Sequence, residues 1–406
     1  MSWRLSLSRG LFFCVAACCS TSFAAVDSGT TYARDLLMPY VESGELPGAI
    51  SVFCRAGVQE TACIGYADVE SRRPISMDDL FKQCSQTKGF CGVTVARLVE
   101  EGRISIDDPV SKYLPEFRTL WVETCVTNGV RRLERAKGAP TIRMCMNHTA
   151  GFDFELPFRE EVGGWSRRAP LRSVAAMAAN LPLAYEPGTQ AKYSNLGIDV
   201  SAAIVEKVTG LRWEDYLRRI VLEPLGMTNT VFRPSARQLS RRIVEYDVRG
   251  GQRAVARKVP YGVRPPYDDD RVFPSAGAGL WTTANDQLKF YKMLMNIGVG
   301  ENGVRILKEE TVKDLLAKST RPKALGCYSL GLTAPYTDSG EWWFGHGGAL
   351  GSCCMVNWHR KELKLWVVQQ VGKPRPWEEA RDRAERLFFR REIDNKEANS
   401  YTGRTK

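Results

Sequence analysis

The chain predicts a mixed α/β (α+β) fold: an antiparallel sheet formed from N- and C-terminal segments, flanked by helices, with a helical domain inserted between them. Three observations carry this. Ala49–Arg55 and Val58–Gly65 are runs of β-branched and small residues either side of Ala56-Gly57, which reads as a hairpin. Far downstream, Tyr328–Leu332, Trp342–Phe344, Cys353–Trp358 and Leu363–Val371 alternate or run apolar, the strand signature. Between these ends the apolar residues recur at helical spacing, broken by loops rich in Pro, Gly and Arg.

In chain order, Arg4 and Arg9 precede an uncharged run from Leu11 to Cys19, and Ser22-Phe23-Ala24 supplies small residues where a signal peptidase reads. Residues 1–24 are therefore expected to be a secretory leader, cleaved before Ala25. Val15-Ala16-Ala17-Cys18 also fits a lipobox, so a lipid anchor on Cys18 is the other outcome. Tyr32–Val41 reads as an amphipathic helix closed by Gly44. The next helix starts at Ser85 and runs through Val93, Val95, Leu98 and Val99 to Gly102. Further helices fit Thr141–Met146, Leu171–Ala179, Leu196–Val208, Trp213–Leu222 and Asn285–Met295, and a charged helix, Trp377–Arg390, follows the last strands. The tail 394–406 is expected to be disordered, having almost no apolar content. The expected domains are thus 25–80 with 320–393 for the sheet and 81–319 for the helices. The stretches 114–140, 152–170 and 247–273 show no readable pattern.

The 406 residues are 44% hydrophobic and 25% charged, the ordinary composition of a globular protein. After the N-terminus no run approaches the roughly 18 apolar residues of a membrane span. The net charge of +11 suits an anionic envelope surface as a partner. Nucleic acid is not expected. The basic residues sit beside acids, as Arg218-Arg219 do after Glu214-Asp215, and no aromatic–basic interleaving appears. Of the 12 cysteines, three lie in the leader; the rest show neither a disulfide framework nor a metal spacing. The hairpin register puts Cys54 opposite Gln59, not Cys63, and neighbouring Cys353 and Cys354 point to opposite faces of a strand. Most cysteines are expected to be small buried apolar residues.

Three short segments carry chemistry. Ser85 and Lys88, three apart at a helix start, share a face. A serine hydroxyl needs a base to become a nucleophile, and a partly desolvated lysine one turn away can serve. Tyr193-Ser194-Asn195 follows the turn at Pro187-Gly188. A phenol beside Lys88 would have a depressed pKa and act as general base, then as acid to the leaving group. Asn195 would hold Lys88 and the substrate carbonyl. His346-Gly347-Gly348 lies between two predicted strands, where glycines admit a substrate backbone. The N–H groups of Ala349 and Ser85 would form a two-donor oxyanion hole. Taken singly, each segment is more often a solvated helix start, a packed loop tyrosine or a structural histidine.

Together, in this order, they resemble the active site of the serine β-lactamase and penicillin-binding superfamily, in its branch of class C β-lactamases, DD-peptidases and esterases. Asn147-His148-Thr149-Ala150-Gly151, Glu186-Pro187-Gly188-Thr189, Glu223–Met227, Ala276–Leu280 and Gly345–Gly351 resemble supporting segments of that family, and the likeness runs from about Tyr32 to Val371. It implies a β-lactamase/transpeptidase-like fold, catalytic Ser85, Lys88 and Tyr193, a substrate wall of Asn195, His346, Gly347 and Gly348, and no metal or organic cofactor. Enzymes of the branch that destroy β-lactams carry lysine first in the third motif. His346 and Gly347 here remove a cation and a hydroxyl from the wall that grips a β-lactam carboxylate. That favours an esterase or a D-amino-acid peptidase or amidase over a true class C β-lactamase or DD-carboxypeptidase. Cys84 and Gly89, flanking the first motif, are also unusual; Cys84 is expected to be buried and inert. Other readings fare worse. There is no G-x-S-x-G, the three histidines have no zinc spacing, and a non-catalytic cell-wall-binding relative would have no need of all three chemical residues.

Overall fold

The computed structural model describes residues 24–26, 31–154, 156, 170–248, 253–257, 273–316, 328–334, 343–373 and 375–390. Residues 1–23 of the expected leader, with Cys18, the tail 394–406 and most of 152–170 and 247–273 lie outside these residues.

The main sheet has seven strands from the two ends of the chain. The N-terminal part gives β1 (Ala24–Val26), β2 (Gly48–Arg55), β3 (Val58–Asp68) and β4 (Arg73–Pro74). The C-terminal strands of this sheet are Trp343–Gly347, Cys353–Asn357 and Glu362–Val367. Glu362–Val367 pairs antiparallel with β2, joining the two halves. The one departure from an antiparallel sheet is β1, which pairs parallel with β3. The hairpin turns at Ala56 and Gly57, both at positive φ (50° and 80°), the primed geometry that matches strand twist. Its register sets Cys54 against Gln59 and Cys63 against Ile50, as the sequence predicts.

β2 is an almost continuous buried run because both faces of the sheet are covered. Ile50, Val52 and Cys54 face the main core with Leu363, Leu365 and Val367. Ala49 and Phe53 face the other way with Trp366, under helices α1 (Tyr32–Glu42) and Glu378–Arg390. Thr31 caps α1 by accepting from the Arg34 N–H at 3.1 Å. The terminal helix is pinned by Phe388 against Phe53, ring centroids 5.4 Å apart, and Trp377 packs on Trp366 at 5.5 Å.

Between the strand groups lie α2 (Thr87–Glu100), α3 (Ile142–Met146), α4 (Leu171–Ala179), α5 (Asn195–Thr209), α6 (Trp213–Leu217) and α7 (Ala284–Met295). α6 continues as a π turn over Arg218–Leu222. α5 ends at Gly210, at φ 74°. No helix among the described residues is long and apolar enough to cross a membrane.

Two expectations fail. Tyr328–Leu332 is a tight turn rather than a strand, with Gly331 at φ 71° and a lone bridge from Tyr328 to Thr333. The turn meets α2 through the Leu332 side chain and the Leu330 carbonyl rather than pairing as a strand of the sheet. The helix makes room with glycine. A methyl at Gly92 would lie 2.0 Å from the Leu330 carbonyl oxygen, and one at Gly89 would lie 2.6 Å from Leu332. The stretch 114–140, without pattern in the sequence, holds a two-stranded ribbon, Trp121–Thr127 with Val130–Arg135. Asn128-Gly129 at its tip takes the positive φ of a hairpin turn (53° and 78°). Its second strand is exposed throughout, so no apolar alternation marks it.

Candidate active site

The first motif sits where a short 3₁₀ turn, Cys84–Gln86, runs into α2. Cys84 has φ 50°, a left-handed conformation that costs a side-chain-bearing residue energy. The Thr87 hydroxyl donates to the Cys84 carbonyl at 2.7 Å and tightens the turn. Ser85 is half-buried at this junction, whereas Lys88, one turn on, is 0% exposed.

The Lys88 ammonium donates to three oxygens: Asn195 Oδ1 at 2.6 Å, the Gly277 carbonyl at 2.7 Å and Ser85 Oγ at 3.3 Å. A lysine has three N–H donors, and each has an acceptor here. The second motif approaches through the start of α5. Ser194 is its N-cap, accepting from the Gly197 N–H at 3.0 Å and donating to the Asp153 carbonyl at 2.6 Å. That cap fixes Tyr193 just ahead of the helix and Asn195 on its first turn. Lys88 Nζ lies 4.5 Å from the Tyr193 ring centroid, over the face of the ring.

This placement reverses one expectation. Burial pushes the Tyr193 phenol up to about 12, and hydrogen bonding to Ser85 and Tyr328 only partly opposes it. The cation is over the ring rather than at the oxygen, so desolvation of the phenolate wins. Burial likewise raises the Cys84 thiol, which keeps it inert as expected.

The third motif closes the site from strand Trp343–Gly347. Gly348 packs so closely on the first motif that a methyl there would meet the Gln83 carbonyl oxygen at 2.6 Å. This brings the exposed turn carrying Ala349 over the Ser85 segment. Neither the Ser85 nor the Ala349 N–H has a hydrogen-bond partner among the described residues. Gly347 is exposed at the strand end. His346 differs from the substrate-facing wall expected of it: the residue is 4% exposed. Its Nδ1 is 2.5 Å from the Gly347 carbonyl, and Nε2 is 3.0 Å from the Tyr328 hydroxyl. A carbonyl only accepts, so Nδ1 carries the hydrogen and Nε2 accepts from Tyr328. Burial and then Lys88 lower the imidazole to about 3, so it is neutral.

The sequence reading missed three contributors. Tyr328 bonds His346 and lies with His148 around Tyr193, at ring centroids 4.5 and 4.6 Å from His148. Its stretch looks like a strand, which hid it. Gly277 acts through its carbonyl, which leaves no side-chain signal. Asp199 is an acid among the buried apolar residues of α5, a visible oddity that was passed over. Among the described residues no three His, Cys, Asp or Glu side chains gather as a metal site.

The Beta-lactamase family model matches residues 33–387, a span that takes in all three motifs. The chain belongs to the Beta-lactamase family. It is 31% identical over 278 residues to protein Rv1367c of Mycobacterium tuberculosis strain H37Rv, covering 67% of this chain and 68% of that protein. Among solved structures, unliganded simvastatin synthase LovD from Aspergillus terreus, as its selenomethionyl derivative, superposes with TM-score 0.73 at 20% identity, over 89% of this chain and 98% of that one. EstCE1, described as a hydrolase with promiscuous acyltransferase activity, gives TM-score 0.68 at 22% identity, over 84% and 93%. At these identities the two structures establish the β-lactamase/transpeptidase-like fold. Other solved structures that share this fold include a D-stereospecific amidohydrolase from Streptomyces sp..

Proposed function

We propose that this β-lactamase-family chain is a serine hydrolase that cleaves an ester or amide through an acyl-enzyme on Ser85. The observation that carries the reading is the Lys88 ammonium, which joins Ser85 Oγ to Asn195 and Gly277 directly beneath the Tyr193 ring. The substrate carbonyl oxygen enters between the N–H groups of Ser85 and Ala349. The reacting form of the Lys88–Tyr193 pair carries one proton fewer than ammonium plus phenol, so that as the Ser85 oxygen bonds to the carbonyl carbon its proton passes to the vacant position on that pair. Collapse of the tetrahedral adduct breaks the bond to the leaving group, which takes a proton from Tyr193. A phenol held neutral near pH 7 suits that acid role. Water then enters, loses its proton to the same pair and releases the acid.

Esters and D-amino-acid amides are the favoured substrates. The third motif offers His346 and Gly347 in place of a cation and a hydroxyl, and His346 has both ring nitrogens engaged within the protein. Export of the mature chain is part of the proposal and rests on the leader-like residues 1–24.

The test is hydrolysis of short-chain nitrophenyl esters beside a chromogenic cephalosporin, with Ser85→Ala as control. Ester turnover lost in the variant, with little cephalosporin turnover, is expected. A Ser85→Ala protein with full activity would refute the nucleophile, and fast cephalosporin turnover would refute the substrate preference.

A further inference from the structure

We propose that Asp199 is a positioning residue for this reaction: through the Ser275–Gly277 loop it fixes the carbonyl that holds the Lys88 amine at Ser85. The inference rests on the reading of Ser85 and Lys88 given above.

Asn195 and Asp199 are four residues apart on α5 and so share a face. Asn195 reaches Lys88 directly. Asp199 reaches the loop instead. Its Oδ1 accepts from the Ala276 N–H at 2.7 Å, the Gly277 N–H at 3.2 Å and the Ser275 hydroxyl at 3.2 Å. The Ser275 oxygen accepts in turn from the Gly277 N–H at 3.2 Å. With its N–H held from two sides, Gly277 has its carbonyl aimed at Lys88 Nζ. Glycine is required there, because a methyl would lie 2.8 Å from Asn195 Cβ and Oδ1. Asn195, Asp199 and Gly277 thus form one clamp on the lysine.

The carboxylate is 4% exposed, and no ion pair to it occurs among the described residues. A buried acid without a salt bridge is costly, and capping a loop does not need a charge. The three oxygens around Lys88 are all neutral. Asp199 supplies negative charge one loop away, and the attraction of Lys88 acts on it in return. The titratable groups facing it are Lys88 and Cys91, both from α2; burial holds the Cys91 thiol protonated. Burial raises Asp199 to about 7, so the clamp changes charge near neutrality.

The experiment measures kcat, KM and the pH profile of ester hydrolysis for the full chain, Ser85→Ala, Asp199→Asn and Ser275→Ala. Asp199→Asn should lower kcat by about 10- to 100-fold with KM little changed, the expected penalty for a misplaced catalytic group. It should also lose the step near pH 7 expected of the parent. Ser275→Ala leaves the carboxylate in place but loosens the loop, and should lower kcat several-fold even where Asp199→Asn fails to fold. Parental kcat and an unchanged pH step in a folded Asp199→Asn, or parental kcat in Ser275→Ala where the first variant does not fold, overturns the inference. If Ser85→Ala stays active, the reading of the site fails and takes this inference with it. If Ser85→Ala is dead while Asp199→Asn behaves as the parent, this inference alone fails.

Discussion

Replacing Gly92 with alanine tests how the aromatic wall around Tyr193 is held. The added methyl would sit 2.0 Å from the Leu330 carbonyl oxygen. That atom is backbone, so no rotamer change relieves the clash. The turn would have to retreat by roughly 1.3 Å to restore a close carbon–oxygen contact of about 3.3 Å. Tyr328 rides on this turn with its hydroxyl 3.0 Å from His346 Nε2, and a retreat of that size takes it beyond hydrogen-bond range. Two terms set the stability change. Alanine is better than glycine inside a helix by about 1 kcal/mol. Overpacking costs about 1–3 kcal/mol. The net loss is therefore small, about 0–2 kcal/mol, and the variant should fold. Activity should fall much further, by about 10²-fold, the effect of a misplacement near 1 Å. Urea unfolding and ester turnover on the same sample separate the two. A Gly92→Ala protein with parental turnover would show that the close packing of the turn on α2 does not position the site.

Two further outcomes follow from burial. His346 is neutral and lowered to about 3 in the fold, against 6.5 for the free side chain. A base with a depressed folded pKa stabilises above its unfolded pKa, and that stability is lost as pH falls. Stability should decline between pH 6.5 and 3 by about 1.4 kcal/mol per pH unit from this residue. The urea midpoint of His346→Gln should fall less steeply over that window, and equal slopes would refute the assignment. Phe388→Ala removes a fully buried ring from Phe53 and should cost about 3–5 kcal/mol in urea unfolding; a loss below 1 kcal/mol would mean the terminal helix is not anchored there.

Much of this fold was legible because its elements are apolar runs bounded by turn residues. The structure places α5 and β2 within one residue of the sequence reading, and β3 runs three residues beyond it, to Asp68. The ribbon at 121–135 was not legible: apart from buried Val122 it is largely exposed, so it has no hydrophobic alternation, and only Asn128-Gly129 marked it. The turn at Tyr328–Leu332 misled for the opposite reason, since its leucines are buried at strand-like spacing without pairing in the sheet. At the site, Ser85, Lys88, Tyr193 and Asn195 were readable as side chains in motifs, and the structure brings them together. The Gly277 carbonyl depends on where the backbone goes, which no residue type announces, whereas the Ser85 and Ala349 N–H groups could be named from their motifs. The state of Tyr193 was misjudged because sequence gives a neighbouring charge but not the depth of burial or the side of the ring the charge occupies.

The way the sheet is assembled bears on how the chain folds. Val52 pairs with Leu365, about 310 residues away along the chain. The hairpin's own contacts are local, but the edge of β2 is paired only once the strand Glu362–Val367 has been made. Long-range pairing of this kind slows folding and exposes strand edges meanwhile. A chain stopped before Glu362 would keep every residue named at the site, yet would lack the strand that joins the two halves of its central sheet. Such a product should aggregate rather than act, which makes synthesis of the last strands the step that commits the molecule to its native state.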